Sequence, residues 1–140
     1  MKMSLFFLRV ALGWMYLYAG ASKIMDPAWS AEGYLKSAKT FPSLYQWFAS
    51  PGVLPVINLL NEWGLFLIGA FLLLGIFTRQ MAMLAMGLMA LYYLPILQFP
   101  YVGKNFFLVD DHIIFIAALY VLISHRAGRI WGLDALRKNS

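Results

Sequence analysis

The sequence predicts an all-α fold: an integral membrane four-helix bundle with an interfacial helical segment between spans 1 and 2. Of its 140 residues, 62% are hydrophobic and only 12% are charged, and the mean hydropathy is +0.71. The charged residues fall in clumps between long apolar runs, as in multi-pass membrane proteins. A soluble domain of this size needs far more polar surface. We therefore expect residues 1–140 to form one transmembrane domain in a lipid bilayer.

Charge, cysteine and histidine usage narrow the function classes. The net charge is +5, but most basic residues lie beside predicted spans, so we expect no nucleic-acid partner. The absence of cysteine excludes a dithiol relay, a thiolate metal site or an iron–sulfur cluster held by this chain alone. His112 and His125 are the only histidines and would lie about 20 Å apart on one helix. A haem or metal site is therefore not expected.

The first predicted span covers about residues 5–24. A cleaved signal peptide is the alternative, but Arg9 interrupts its apolar region and the run continues past the small residues at 19–21. Arg9 and Lys23 lie about 21 Å apart, near opposite membrane faces, where each could reach lipid phosphate or bind a protein or ligand partner. The glycines on their side of the helix let a neighbouring helix approach closely. That helical stripe carries Arg9, Gly13, Tyr16, Gly20 and Lys23.

The segment 27–50 is predicted to be interfacial, because it is too polar to span and rich in tryptophan and tyrosine, which prefer the headgroup zone. The second span, about 56–77, begins with polar residues that include Asn58 and Asn61. Glu62 lies one to two turns inside this span. It is either a structural partner of Lys23 or a site residue, and the two roles are compatible.

The third span, about 81–99, carries no charge, whereas the fourth presents a question of length. Counted from the residue after His112 it has about 12 residues, short of the roughly 20 that a span needs. Counted over 106–124 it is long enough but contains Asp110, Asp111 and His112. Either the helix starts in the outer headgroup layer, or these groups are buried in protein.

The tail, 125–140, is basic with an aromatic anchor, and is predicted to lie along the membrane as an amphipathic segment. An even number of spans places both termini on one side, and the excess of basic residues there predicts that both termini are cytoplasmic in a multi-pass protein of the cell membrane. The basic residues on that side are Lys2, Arg79, Arg126, Arg129, Arg137 and Lys138.

A polar cluster is predicted at the outer ends of the helices, where it could hold the bundle together, pass protons, or bind a polar or anionic ligand. Proton handling suits Glu62 and His112, whose pKa values respond strongly to burial and neighbours. We predict that Asp110 is a solvated helix cap and that Asp111 and His112 face inward. The predicted cluster comprises Lys23, Asn58, Glu62, Asp110, Asp111 and His112.

Several stretches, taken in order and nearly end to end, resemble the DoxX/DoxD family of small four-helix membrane proteins. The stretches are LRVALG at 8–13, YAGASK at 18–23, Glu62, LGIFTR at 74–79, VDDHII at 109–114, AGR at 127–129 and GLD at 132–134. The Asp111-His112 stretch and the tail look most like the large membrane subunit of thiosulfate:quinone oxidoreductase. By that resemblance, thiosulfate would be oxidised to tetrathionate at the outer face, a small partner subunit would assist, and electrons would pass to quinone.

The resulting hypothesis is a membrane subunit of a quinone-linked redox system, with quinone as its cofactor. Glu62, Asp111 and His112 would be catalytic. A quinone, a haem shared between subunits, or the partner would carry the electrons. The residues expected to bind substrate or cofactor are Arg9, Lys23, Trp14, Tyr16 and Asn58, with Trp14 and Tyr16 as ring contacts.

Two alternatives stay open at the level of the sequence. The first is a non-enzymatic membrane bundle that binds a lipid or small molecule, or anchors a soluble redox partner. The second is a small proton-coupled transporter, which the absence of an internal repeat disfavours. Candidate partners are a small subunit, a soluble redox protein and a second copy of the chain.

Overall fold

The computed structural model describes residues 1–137 as a mainly helical chain with one small antiparallel sheet. Residues 138–140, which include Lys138 and the end of the predicted tail, lie outside the described residues. The helices are α1 (Lys2–Met25), α2 (Glu32–Lys36), α3 (Pro42–Phe48), α4 (Leu54–Leu74), α5 (Thr78–Ile96) and α6 (Asp111–Ser124). The strands are β1 (Leu97–Gln98), β2 (Tyr101–Val102) and β3 (Phe106–Phe107), and two 3-10 helices, Ala127–Arg129 and Leu133–Leu136, follow α6.

The closest helix pair is α1 with α4, and glycines make it possible. A Cβ atom added at Gly13 would lie 2.9 Å from the backbone nitrogen of Leu73, and one at Gly20 would lie 2.7 Å from the carbonyl oxygen of Glu62. On the facing helix, a Cβ at Gly69 would lie 2.5 Å from Leu17 Cα. Backbones this close leave no room for side chains. The prediction that the glycine stripe of the first helix receives a neighbouring helix is confirmed.

The outer surfaces of the long helices are apolar. Phe7 on α1, Leu67 on α4, Leu84 on α5 and Ile114 on α6 are all strongly exposed. Two helices of the described chain, α1 and α4, are long and apolar enough to cross a membrane, and α6 is a shorter apolar helix of 14 residues. The core between α1, α4, α5 and α6 is built from leucine, isoleucine, alanine and methionine side chains.

The last two helices differ from the predicted spans. The third apolar helix covers Thr78–Ile96 rather than 81–99. The fourth was expected over 106–124, but it begins at Asp111, and Phe106–Phe107 lie in a strand. The reason is local: the Asp110 carboxylate accepts hydrogen bonds from the first backbone N–H groups of α6, which fixes the helix start there.

Residues 26–53, between α1 and α4, fold into a small second core, and we call this segment the cap. Its buried residues pack against the start of α4 and the end of α5. The Tyr45 hydroxyl donates to the Leu91 carbonyl oxygen at 2.8 Å, and the Asn58 amide oxygen accepts from the backbone N–H of Ala31 at 2.9 Å. The cap therefore covers one end of the long helices.

The described part of the tail is docked on the ends of the helices, and its predicted position along the membrane stays a prediction. The Asp134 carboxylate accepts hydrogen bonds from the backbone N–H groups of Phe77 and Thr78, both at 2.9 Å, and caps the start of α5. The fully buried Arg9 donates to the carbonyl oxygens of Ile130 (3.1 Å) and Trp131 (3.4 Å). The same guanidinium donates to two carbonyl groups at the end of α4. A buried arginine with these partners binds the tail to the helices.

Candidate functional site

A cavity of about 430 Å³ lies between the cap and the long helices. This volume falls within the range of small-molecule sites, and the walls are mainly aromatic and aliphatic, as such sites usually are. Leu60 and Leu91 line the cavity and are still 58% and 43% exposed, so the cavity opens between α4 and α5. Its aromatic and polar lining residues are Lys23, Trp29, Ser30, Tyr34, Tyr45, Phe48, Asn61, Tyr92 and His112.

Lys23 is the cation of this cavity. Its ammonium nitrogen lies 3.3 Å from the Ala19 carbonyl oxygen and 5.4 Å from the centre of the Trp29 ring. Within residues 1–137 no carboxylate pairs with it. An ammonium group has three N–H donors, so Lys23 keeps donors for a ligand after the bond to its own helix is made. The indole face favours the charge through a cation–π contact.

His112, which lines the cavity, pairs with Asp110, which lies behind it. His112 Nδ1 lies 2.8 Å from Asp110 Oδ2, and the other carboxylate oxygen accepts from the His112 backbone N–H at 3.0 Å. Asp110 is only 5% exposed. A carboxylate on Nδ1 holds the imidazole in the tautomer that leaves Nε2 as the other reactive nitrogen. The pair can therefore accept a proton at Nε2 and stabilise the imidazolium that results.

A hydrogen-bonded tyrosine and amide link α5 to α4 inside the cavity. The Tyr92 hydroxyl donates to Asn61 Oδ1, and Asn61 Nδ2 donates to the Ile57 carbonyl oxygen at 2.8 Å. The Tyr92 ring also packs edge-to-face on His112, with 6.2 Å between ring centres. Because the Tyr92 proton is committed to Asn61, its phenol oxygen is left to accept a hydrogen bond.

The tyrosines of the cap stay protonated at neutral pH. Burial, and to a smaller extent the neighbouring Tyr45 and Asp110, together raise the pKa of Tyr34 to about 12. Burial also raises the pKa of Tyr45. The Tyr34 hydroxyl donates to the Tyr92 carbonyl oxygen. The cap thus contributes neutral phenols, and the charge in the cavity comes from Lys23 and, when protonated, His112.

Two predicted acids are placed differently from expectation. Asp110, predicted to be a solvated cap, is a cap but is buried, whereas Asp111, predicted to face inward, is exposed. Asp110 faces inward because its side chain must turn back to reach the backbone N–H groups it caps, while Asp111 already belongs to the helix. His112 lines the cavity, as predicted.

The predicted pair between Lys23 and Glu62 is absent. Glu62 is partly buried on α4, and in the described part of the chain its carboxylate makes no hydrogen bond or ion pair. Asn58, predicted to bind ligand, instead fastens the cap through its bond to Ala31. The neighbouring amide, Asn61, lines the cavity in its place.

The remaining predicted ligand contacts also lie outside the cavity wall. Arg9 is at the opposite end of α1, where it holds the tail. Trp14 is 60% exposed and contacts the ring of Tyr18. Tyr16 is buried in the core between the long helices, and its hydroxyl has no partner among the described residues. Of the eight residues predicted for the site, the structure brings Lys23 and His112 into one cavity.

Sequence reasoning missed Trp29, Tyr34, Asn61 and Tyr92 as site residues. Asn61 could have been predicted, because it is one of the polar residues at the start of the second span and directly precedes Glu62 in the sequence. The cap residues carried no such signal, because their placement depends on how the segment folds back over the helices.

Comparison with known proteins bears on the family. The DoxX family model matches residues 4–96, about two thirds of the chain. The chain belongs to the DoxX family. No curated protein and no solved structure matches it. The match spans α1 through α5 and ends before Asp110 and His112. The family match and the two long apolar helices, α1 and α4, together indicate a membrane protein.

Proposed function

We propose that this chain is a multi-pass membrane subunit that binds a quinone in the cavity under the cap and takes part in a quinone-linked redox reaction. The observation that carries the proposal is the donor set of the cavity: the Lys23 ammonium and the carboxylate-bound His112 beside aromatic walls. Quinone rings are flat, apolar and edged by two carbonyl oxygens that accept hydrogen bonds. The residues present fit such a group in volume, polarity and hydrogen-bonding sense.

The side chains have distinct roles in this proposal. Lys23 would hold a quinone by donating a hydrogen bond to a carbonyl oxygen, with the donors that its bond to Ala19 leaves over. His112 delivers or takes up a proton at Nε2. Asp110, bound to Nδ1, keeps the imidazole ring in position for this transfer. Trp29 and Phe48 exclude water from the ring. The bound quinone supplies the redox chemistry, since its reduction to quinol takes up two electrons and two protons.

The electron donor is external to this chain. By the family resemblance we propose thiosulfate as the first donor to test: two thiosulfate ions release two electrons as one S–S bond forms to give tetrathionate. A small partner subunit or a soluble redox protein would carry these electrons to the cavity. The chain has no cysteine with which to relay them itself.

The proposed topology has four spans with both termini cytoplasmic. The exposed apolar faces on α5 and α6 support it, because such surfaces are stable in lipid and costly in water. Helix α5, with 19 residues, is about 28 Å long and matches the hydrocarbon core. Helix α6, with 14 residues, is about 21 Å long, and the exposed apolar residues before it, 106–109, would extend the membrane-embedded part.

This topology is testable because the chain has no native cysteine. Single variants place a thiol at two exposed positions: Gln80→Cys in the first turn of α5, and Lys104→Cys in the loop between β2 and β3 that follows the other end of α5. In intact cells, a membrane-impermeant maleimide should label Lys104→Cys and spare Gln80→Cys until the membrane is opened. The reverse pattern, or equal labelling of both, contradicts the proposed orientation.

Quinone binding is testable by fluorescence. The purified protein in detergent should show saturable quenching of its tryptophans by a short-chain ubiquinone analogue, because Trp29 lines the cavity. Lys23→Met and His112→Gln should each weaken binding by roughly tenfold, the value of one charge-assisted hydrogen bond. The matched controls are Lys39→Met and His125→Gln, which alter exposed residues outside the cavity. Equal affinity for site and control variants contradicts the proposal.

Turnover is a separate readout. Membranes that contain the chain and a candidate partner should reduce quinone when thiosulfate is added, and His112→Gln should slow this reaction more than His125→Gln. Binding of the analogue without turnover from any donor would favour a non-enzymatic membrane bundle that binds a small molecule.

A further inference from the structure

A second cavity, of about 600 Å³, lies at the other end of the long helices. It forms where the start of α5, the end of α6 and the first 3-10 helix meet. The residues that matter in its lining are Thr78, Arg79, Gln80, Arg126, Arg129 and Asp134. None of them lines the cavity under the cap. We propose that this second cavity binds the phosphate group of an anionic membrane lipid.

The charge balance of the lining favours an anion. Three arginines, Arg79, Arg126 and Arg129, line the cavity together with one acid, Asp134, whose carboxylate also pairs with Arg137 at 3.4 Å. The Asp134 oxygens accept hydrogen bonds from backbone N–H groups at the start of α5. For residues 1–137, the three guanidinium groups make no ion pair with an acidic side chain. Arginine donates in a planar fork that matches phosphate oxygens, so an arginine-lined cavity of this kind suits phosphate better than a carbohydrate or a cation.

An independent observation comes from Thr78. This residue is 2% exposed and lines the cavity, and its hydroxyl oxygen has no hydrogen-bond partner in the described part of the chain. A buried hydroxyl without a partner costs free energy, so such groups usually have one. The hydroxyl lies beside Gly128, which also lines the cavity, so a phosphate that shifts Gly128 would accept the Thr78 proton and remove that cost.

The position in the fold favours a lipid over free phosphate. The cavity lies where the apolar outer surface of the helices ends, and Trp131, in the docked tail nearby, is 63% exposed, as expected for an aromatic at headgroup level. Met83 lines the cavity and is 50% exposed on the lipid-facing side of α5. An acyl chain can lie along Met83 while the phosphate reaches the arginines. Anionic lipids of the cytoplasmic leaflet carry this headgroup chemistry.

The test uses the full chain in detergent micelles and three probes: phosphatidylglycerol, phosphatidylcholine and inorganic phosphate. Native mass spectrometry should show phosphatidylglycerol bound roughly tenfold more tightly than phosphatidylcholine, as charge-assisted bonds to phosphate predict. The variant with Arg79→Gln, Arg126→Gln and Arg129→Gln should lose this preference. The matched control, Lys39→Gln with Lys104→Gln, removes exposed cations at the other end of the molecule and should keep it.

Each outcome is decisive. Equal binding of the two lipids, or an unchanged preference in the triple arginine variant, overturns the proposal. Displacement of phosphatidylglycerol by inorganic phosphate at equal concentration assigns the site to free phosphate and overturns the lipid assignment. Thr78→Val keeps the side-chain shape and should weaken phosphatidylglycerol binding severalfold without lowering the unfolding temperature of the lipid-free protein. The inference rests on the proposed membrane topology, but its failure would leave quinone binding under the cap unaffected, since the two cavities share no residue.

Discussion

Removal of the Asp134 carboxylate should release the tail. In Asp134→Ala, the backbone N–H groups of Phe77 and Thr78 lose acceptors at 2.9 Å, and the buried Arg9 loses a nearby opposite charge. Hydrogen bonds to a charged group contribute about 1.5–3 kcal/mol each, whereas Arg9 loses only the attraction of a nearby charge and keeps its carbonyl acceptors on α4. Because these effects overlap, we expect a loss of about 3–5 kcal/mol in the free energy of unfolding.

The assay is unfolding in mixed detergent micelles, followed by circular dichroism, together with limited proteolysis of the tail. The tail should become cleavable near residues 126–129 before the helices unfold. Asp111→Asn is the control, because Asp111 is an exposed acid in the first turn of α6, where a charge contributes less than about 1 kcal/mol. If Asp134→Ala unfolds together with this control and its tail resists protease, the account of tail docking is wrong.

Three further predictions concern packing and the cavity. Gly69→Ala should lower stability by about 1–3 kcal/mol in the same unfolding assay, because its Cβ would lie 2.5 Å from Leu17 Cα, whereas Gly87→Ala, with open space around it, should not. Tyr34 has a pKa of about 12 when folded, against about 10 when unfolded, so its contribution to stability is constant below pH 10 and is lost as the pH rises towards 12. Tyr34→Phe should therefore make the fall in stability over this range smaller than in the wild type, where the raised pKa of Tyr45 also contributes. Tyr92→Phe removes a hydrogen bond between α5 and α4 and should lower stability by about 1 kcal/mol.

Much of the helical framework could be predicted from the sequence, because hydropathy and glycine spacing are local properties. The stripe through Gly13 and Gly20 identified the face of α1 that receives α4. Its two charges, Arg9 and Lys23, lie at opposite ends of the assembly, as their helical separation requires. What spacing could not give was the partner of each charge, because partners come from segments distant in sequence.

Asp134 illustrates that limit. It lies more than fifty residues from the helix start that it caps, and no local motif predicts such a contact. The sequence offered one indirect sign: the residue before Thr78 is Phe77, which has no side-chain acceptor for the first backbone N–H groups of α5. A helix start without its own cap needs an acceptor from elsewhere.

The cavity under the cap lies at the end of the helices where the polar cluster was predicted, and two of the predicted site residues line it. Lys23 and His112 come from long helices whose facing sides follow from periodicity, and both line the cavity. Glu62 was included because a carboxylate inside an apolar helix suggests function, yet Asn61, one position earlier, lines the wall. Successive residues of an α-helix point 100° apart. A small error in the face assigned to the helix therefore puts the wrong one of two adjacent residues in the site.

The most direct test of the central claim is a density map of this protein in detergent with a short-chain ubiquinone analogue bound. We expect ring density in the cavity under the cap, with one carbonyl oxygen within hydrogen-bond distance of Lys23 Nζ and the ring against Trp29. The second carbonyl oxygen should lie on the His112 side. Density for the analogue elsewhere on the helices, with this cavity filled by lipid chains or closed, would contradict the account.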